Sequence, residues 1–272
     1  MADSQPDESA DISMSTETPV VEISGSVAAD DSIPNPENDN DASELPFSGE
    51  GAEEMDVEAE EAAPRTTYID YLKSPVVGLL VGQGDEQALL TAHQGLLVQS
   101  PWFRDACEKF SDVVSERRID LVDEDLDAVG CFLEFLYTGD YLPRKIPNSR
   151  DLERDPSTPL VDETGDQLLK HARVYTLGET LSLPAIKSLA SSKIHCVNST
   201  AKGEIAYARY VYAHTQKDDQ AIRAPVANFW ATRSHTLRSE AEDEFRGMCL
   251  EFPQFGYDVL SEFAFFLCFG FW

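Results

Sequence analysis

No basic residue occurs in the first 64 positions of this chain, where 19 Asp and Glu stand without a single Lys, Arg or His. Over all 272 residues, 21 Lys and Arg face 50 acids, a formal net charge of −29. That balance, with a pI near 4.3, argues against nucleic-acid binding, which needs a basic stripe. It disfavours anionic membrane surfaces for the same reason. Long apolar runs are missing too, and no window reaches the ~18–20 residues that span a bilayer. The opening Met1-Ala2-Asp3-Ser4 has neither the regions of a secretory leader nor the Gly of a myristoylation signal. Paired cysteines are lacking: Cys107, Cys131, Cys196, Cys249 and Cys268 are odd in number and contain no C-x-x-C. This spacing excludes a disulfide framework or structural zinc, and free cysteines of this kind pack as small hydrophobes. An intracellular protein, of cytoplasm or nucleus, is expected, with the sequon Asn198-Ser199-Thr200 inert.

Aromatics are scarce in the acidic segment as well, Phe47 being the single one before Tyr68. Residues 1–64 therefore cannot bury enough apolar surface to offset the entropy of ordering, and a disordered acidic tail is expected. The remaining 208 residues hold 50 − 19 = 31 acids against 21 bases, a net of −10. They suffice for one sizeable domain or two small ones.

What is present in that body is periodic. Val76–Val81 is an apolar run closed by Gly82-Gln83-Gly84-Asp85, which reads as a buried strand and a hairpin turn, with Gln87–Ala92 returning. The period then changes: Leu96, Leu97, Phe103, Ala106 and Phe110 fit one helical face broken at Ser100-Pro101. Ile119-Asp120-Leu121 is a third strand. Asp123, Glu124 and Asp125 suit a helix start, with Val129, Phe132, Leu133 and Leu136 inside the helix and Gly139 at its left-handed cap. Residues 142–165, with Pro143, Pro147, Pro156 and Pro159, form a polar insert expected to be a mobile loop. Leu168, Ala172 and Tyr175 resume a helix, and Ile186, Leu189, Ala190 and Ile194 mark another behind Pro184. Beyond Glu204 only helical patterns occur. Three helices are expected there, on Ile205 and Val211, on Ile222, Val226, Phe229 and Trp230, and on Phe245, Cys249 and Phe252. The fold class is α+β.

Signals of chemistry are few. His93, between a strand and a helix, has a functional reading as base or metal ligand and a plain one as a buried or half-buried histidine bonded to backbone at that junction, and the plain one is favoured. His171, His195, His214 and His235 show no metal spacing, and no nucleophile motif occurs. Gly78, Gly82 and Gly84 lack the following helix start that a phosphate loop requires, so they read as a turn. No catalytic residue, metal site or cofactor is expected.

Five segments in order resemble a BTB/POZ domain of the kind common in short fungal proteins. They are Ser74–Gly82; Ala92-His93-Gln94-Gly95-Leu96-Leu97-Val98-Gln99-Ser100-Pro101-Trp102-Phe103; Ile119–Asp125; Phe135-Leu136-Tyr137-Thr138-Gly139-Asp140-Tyr141; and Leu169–Ala190. The resemblance covers residues 74–197. It implies a BTB/POZ fold over 68–197, a small mixed sheet capped by a helical cluster, followed by an all-helical extension over 203–262. An aromatic stretch, 263–272, has six aromatics in ten residues; three readings stand for it, a cap on the helical core, a segment that docks a partner groove, or an artefact of how the gene was translated, and exposed it is an aggregation hazard. Two departures from the family pattern, no acid near Ser74-Pro75 and Gln94 in place of a base, argue against recognition through a charged groove.

The resemblance further implies a protein-binding module. Its self-association face corresponds to Tyr68, Ile69, Tyr71 and Leu72 with Leu96, Leu97 and Phe103; the alternative is that these belong to the intramolecular core, and exposed apolar area decides. Its face for a cullin-3-like scaffold uses a hydrophobic–x–Glu element before the third strand. Two imperfect matches exist, Phe110-Ser111-Asp112 and Val114-Ser115-Glu116. The alternative for this loop is a solvated connector. Protein partners, a homodimer or a ubiquitin-ligase scaffold, are thus expected, with neither nucleic acid nor membrane.

Overall fold

Residues 66–110 and 116–269 are described by the structure, a computed structural model; the acidic tail expected at 1–64 lies outside them. Val76–Val81 forms β1, and Ala88–His93 forms β2 after a 3-10 turn at Gly84–Glu86. The two strands pair antiparallel from Val76 opposite His93 to Val81 opposite Ala88. Arg118–Leu121 is β3, parallel to β1 from Gly78 opposite Arg118 to Val81 opposite Leu121, so the sheet order is β2-β1-β3. Parallel pairing needs a crossover, and two short helices supply it, α2 (Gln94–Leu97) and α3 (Pro101–Cys107), with α1 (Tyr68–Lys73) leading into β1. Although β1 reads as uniformly apolar, it alternates: Val77, Leu79 and Val81 are buried, while Gly78 and Leu80 are only half-buried. One face of the sheet thus meets the helices and the other is only partly covered.

Ser100 explains the break between α2 and α3. Its hydroxyl accepts from the Phe103 amide and donates to the Leu181 carbonyl at 2.6 Å, capping α3 and tying it to a distant segment. Phe103 then stacks on Phe132 of α4 (Leu126–Thr138). Asp125 caps α4 by accepting from the Ala128 amide, and Gly139 closes it at φ 81°. Next come α5 (Asp166–Thr180) and α6 (Pro184–Ile194), packed as a pair, with Pro184 in the first turn of α6.

The insert between α4 and α5 carries order of its own. Residues 144–146 turn back on 151–153 through a bridge between Lys145 and Leu152. Its two ends are held by buried charges. The Lys193 ammonium, fully buried, donates to Asp140 and to the carbonyls of Tyr141 and Pro143 and lies 3.8 Å from the Tyr141 ring centre. At the other end the buried Asp162 carboxylate accepts from the amides of Gly165, Gln167 and Leu168.

Among the described residues the extension has four helices rather than three: α7 (Ala201–His214), α8 (Gln220–Glu240), α9 (Glu242–Glu251) and α10 (Pro253–Phe269). The fourth takes up residues 263–269 of the aromatic stretch. Trp230 of α8 sits among Phe245 and Phe255, and the buried set runs on from Val77 to Val259 as one core. No helix among the described residues is long and apolar enough to cross a membrane.

Candidate functional site

The lead-in helix α1 is the most exposed apolar element next to the sheet. Thr67 and Asp70 start it with a capping box, the Thr67 amide and hydroxyl both donating to the Asp70 carboxylate. Those hydrogen bonds hold the Asp70 carboxyl below its ordinary range. None of the six α1 residues is buried. Tyr68, Ile69 and Leu72 are 49%, 57% and 43% exposed, and Tyr71 packs half-buried against the core. Two clasps fix the helix in place: the Tyr68 hydroxyl donates to the Tyr137 carbonyl, and the Ser74 hydroxyl accepts from the Gly95 amide while donating to the Tyr71 carbonyl.

Of the seven residues expected at a self-association face, the structure exposes three, Tyr68, Ile69 and Leu72, leaves Tyr71 half-buried and buries three. Leu96, Leu97 and Phe103 are fully buried beneath the sheet and α4, so they belong to the intramolecular core and support the face from below. Physically, α2 and α3 must bury their apolar faces to cover one side of a three-stranded sheet, whereas a six-residue helix ahead of the first strand has no such obligation.

At the loop before β3, Phe110 is half-buried with the Arg117 guanidinium over its ring, and Glu116 is exposed. Asp112 and Val114 lie outside the described residues. Arg117 also donates to the Gln94 side chain at 2.6 Å, which ties the residue after His93 to the start of β3.

His93 is explained by Tyr137 of α4. The Tyr137 hydroxyl lies 2.6 Å from His93 Nδ1 and accepts from the His93 amide, so the junction histidine is joined to a side-chain hydroxyl where a backbone partner was the plain expectation. Tyr137 was not singled out from the sequence; the aromatic beside Gly139 was the available signal. A second buried pair, Tyr141 and His171, lies 2.9 Å apart. Burial, together with the Lys193 and Lys170 charges, pulls His171 down to about 3, so its ring is neutral.

Elsewhere, α5 and α6 meet the segment before α8 through a polar knot. The Tyr175 hydroxyl donates to both Asp219 oxygens, and Lys187 bridges Asp219 and Glu179. Burial and the Asp219 bond push Tyr175 up to about 12; for Lys187, burial acts downward but its hydrogen bonds prevail and raise it. Both shifts move away from what a base or nucleophile needs near neutral pH. Two shallow depressions flank the helical layer, of about 270 Å³ beside Thr200 and Lys202 and about 330 Å³ beside Ser182 and Lys187. Among the described residues no group of three or more His, Cys, Asp or Glu converges to hold a metal.

No family model matches the chain, and no curated protein matches it.

Proposed function

We propose that the chain is a non-enzymatic protein–protein interaction module of BTB/POZ type, pairing with itself first and with related chains second. The observation that carries this reading is α1, an ordered helix with its apolar side chains turned outward beside the sheet. Full burial of such side chains contributes about 1.5–3 kcal/mol each. Half of that for Tyr68, Ile69 and Leu72 offers on the order of 3 kcal/mol per protomer toward pairing, which offsets part of the cost of association. The order of elements supports the BTB/POZ reading: a hairpin, two short helices, a parallel third strand, a helix closed by Gly139 and a packed helical pair. So do the internal clasps made by Ser74, His93, Ser100 and Tyr137, all of which fall in the segments that resemble the family.

Light scattering after size exclusion tests it. At tens of micromolar, the wild type is expected to reach at least twice the 30.2 kDa chain mass, and Ile69→Glu with Leu72→Glu to lose the pairing made through α1. A wild-type monomer throughout overturns homotypic pairing.

A cullin-3-type adaptor is the second reading, favoured by one observation: Phe110 and the exposed Glu116 flank the loop ahead of β3. Titration with a purified cullin-3-like scaffold decides. The reading requires binding that Asp112→Lys and Glu116→Lys together abolish; no binding, or indifference to the pair, removes it.

A further inference from the structure

From the last helix we infer that the outward face of α10 is a contact between two copies of this chain. The inference does not rest on pairing through α1. Helix α10 has 17 residues, a length of about 25 Å. Its inner side packs on α8, with Phe255 and Val259 buried. Its outer side carries Tyr257 and Leu260, 66% and 64% exposed, with Ala264 exposed at the same helical face and Phe263 at the margin, 40% exposed.

Charge is absent from that face. The acids of α10 are Asp258 and Glu262; Asp258 turns to α7, accepting from the Tyr212 hydroxyl and the Gln254 amide, and Glu262 is half-buried. Ser261, the remaining exposed residue at the centre of the face, is neutral. Residues 65–272 hold 31 acids against 21 bases, so two copies repel mildly, and an uncharged stripe lets them meet without bringing acids together. A two-fold contact needs one surface only, complementary to itself, and an uncharged apolar stripe satisfies that in an antiparallel pairing of two α10 helices.

The area sets the strength. With an aromatic side chain offering roughly 150–250 Å², the four apolar residues leave on the order of 400 Å² per copy. With Gln254 at the rim and Ser261 at the centre, two copies cover about 1,000 Å², the lower bound for a specific interface. A contact at that lower bound is weak, and it strengthens as salt screens the mutual repulsion.

Sedimentation equilibrium of the full chain at 5–300 µM, in 50 mM and 500 mM salt, reads this out. Read with α1 pairing removed by Ile69→Glu and Leu72→Glu, the expected result is self-association that tightens several-fold at the higher salt and weakens at least ten-fold when Tyr257→Glu and Leu260→Glu are added. Both residues point outward, so the fold survives; Tyr257→Ser with Leu260→Ser, which adds no charge, is expected to weaken association in the same direction. Ile69→Glu with Leu72→Glu separates the two faces: it leaves the α10 contact intact and abolishes only pairing through α1. Association indifferent to both α10 pairs overturns the inference while sparing the α1 reading. A monomer at 300 µM in high salt overturns it as well, as does dimer formation that appears only when residues 270–272 are removed.

Discussion

Glu204 is a carboxyl in the wrong solvent. It lies in the first turns of α7, nearly buried, where desolvation and the repulsion of Asp162 outweigh the attraction of Arg233 and raise it from 4.5 to about 7. Because the folded-state value exceeds the unfolded one, folding takes up a proton in this range. The stability associated with Glu204 is complete below pH 4.5 and is lost as the pH rises through 7, a difference on the order of 3 kcal/mol. Glu204→Gln is therefore expected to stabilise the protein at pH 8 and leave it unchanged at pH 4.5, by urea unfolding at both values. His171 acts in the opposite sense: held at about 3 by burial and by Lys193 and Lys170, it costs stability as the pH falls from 6.5 towards 3. Lys193 makes a third test. Burial lowers its affinity for a proton, Asp140 partly restores it, and the ammonium satisfies two main-chain carbonyls. Lys193→Met leaves those acceptors unpaired and is expected to lower the unfolding free energy by about 2–4 kcal/mol, seen as a lower urea midpoint at unchanged slope. Asp140→Asn is expected to cost less, since that carboxylate reaches water.

At the scale of elements, two glycines separate a conformational requirement from a packing one. Gly139 takes φ 81° with open space where a Cβ would sit, so Gly139→Ala is expected to cost about 1 kcal/mol. Gly165 takes φ 89°, and its Cβ would stand 2.7 Å from the Gly203 carbonyl oxygen. Gly165→Ala is expected to cost at least twice as much, about 2–3 kcal/mol, by thermal unfolding. Gly139 was legible in advance because a helical apolar pattern ended just before it. Gly165 was not, since its constraint comes from α7, distant in sequence. The first strand was legible as an apolar run closed by a glycine turn, and α4 to α6 because their apolar residues recur at a period of 3.6. In α10 the period is hidden by aromatics on several sides, and Pro253 reads as a stop although it starts the helix. The insert's order was likewise hidden: proline and polarity mark a loop, but the buried Lys193 that holds one end comes from α6, and nothing local marks Asp162 as the buried carboxylate at the other. For α1 the sequence supplied the apolar residues, and only the packing could say that Tyr68, Ile69 and Leu72 stay exposed while Leu96, Leu97 and Phe103 do not.

For the whole molecule, 19 of the 50 acids precede residue 65, so the charge the body presents to a partner is far smaller than the total. One continuous core ties the sheet to the helical extension, and the two outward apolar surfaces, α1 and α10, lie on separate elements of it. Pairing through α1 is the central claim, and hydrogen exchange at several protein concentrations tests it most directly. Between 1 and 100 µM, amides of Tyr68–Lys73 are expected to gain protection several-fold, while those of β1, already inside the sheet, do not change. Ile69→Glu with Leu72→Glu is expected to remove the gain. Protection of Tyr68–Lys73 that stays the same at every concentration would contradict the claim.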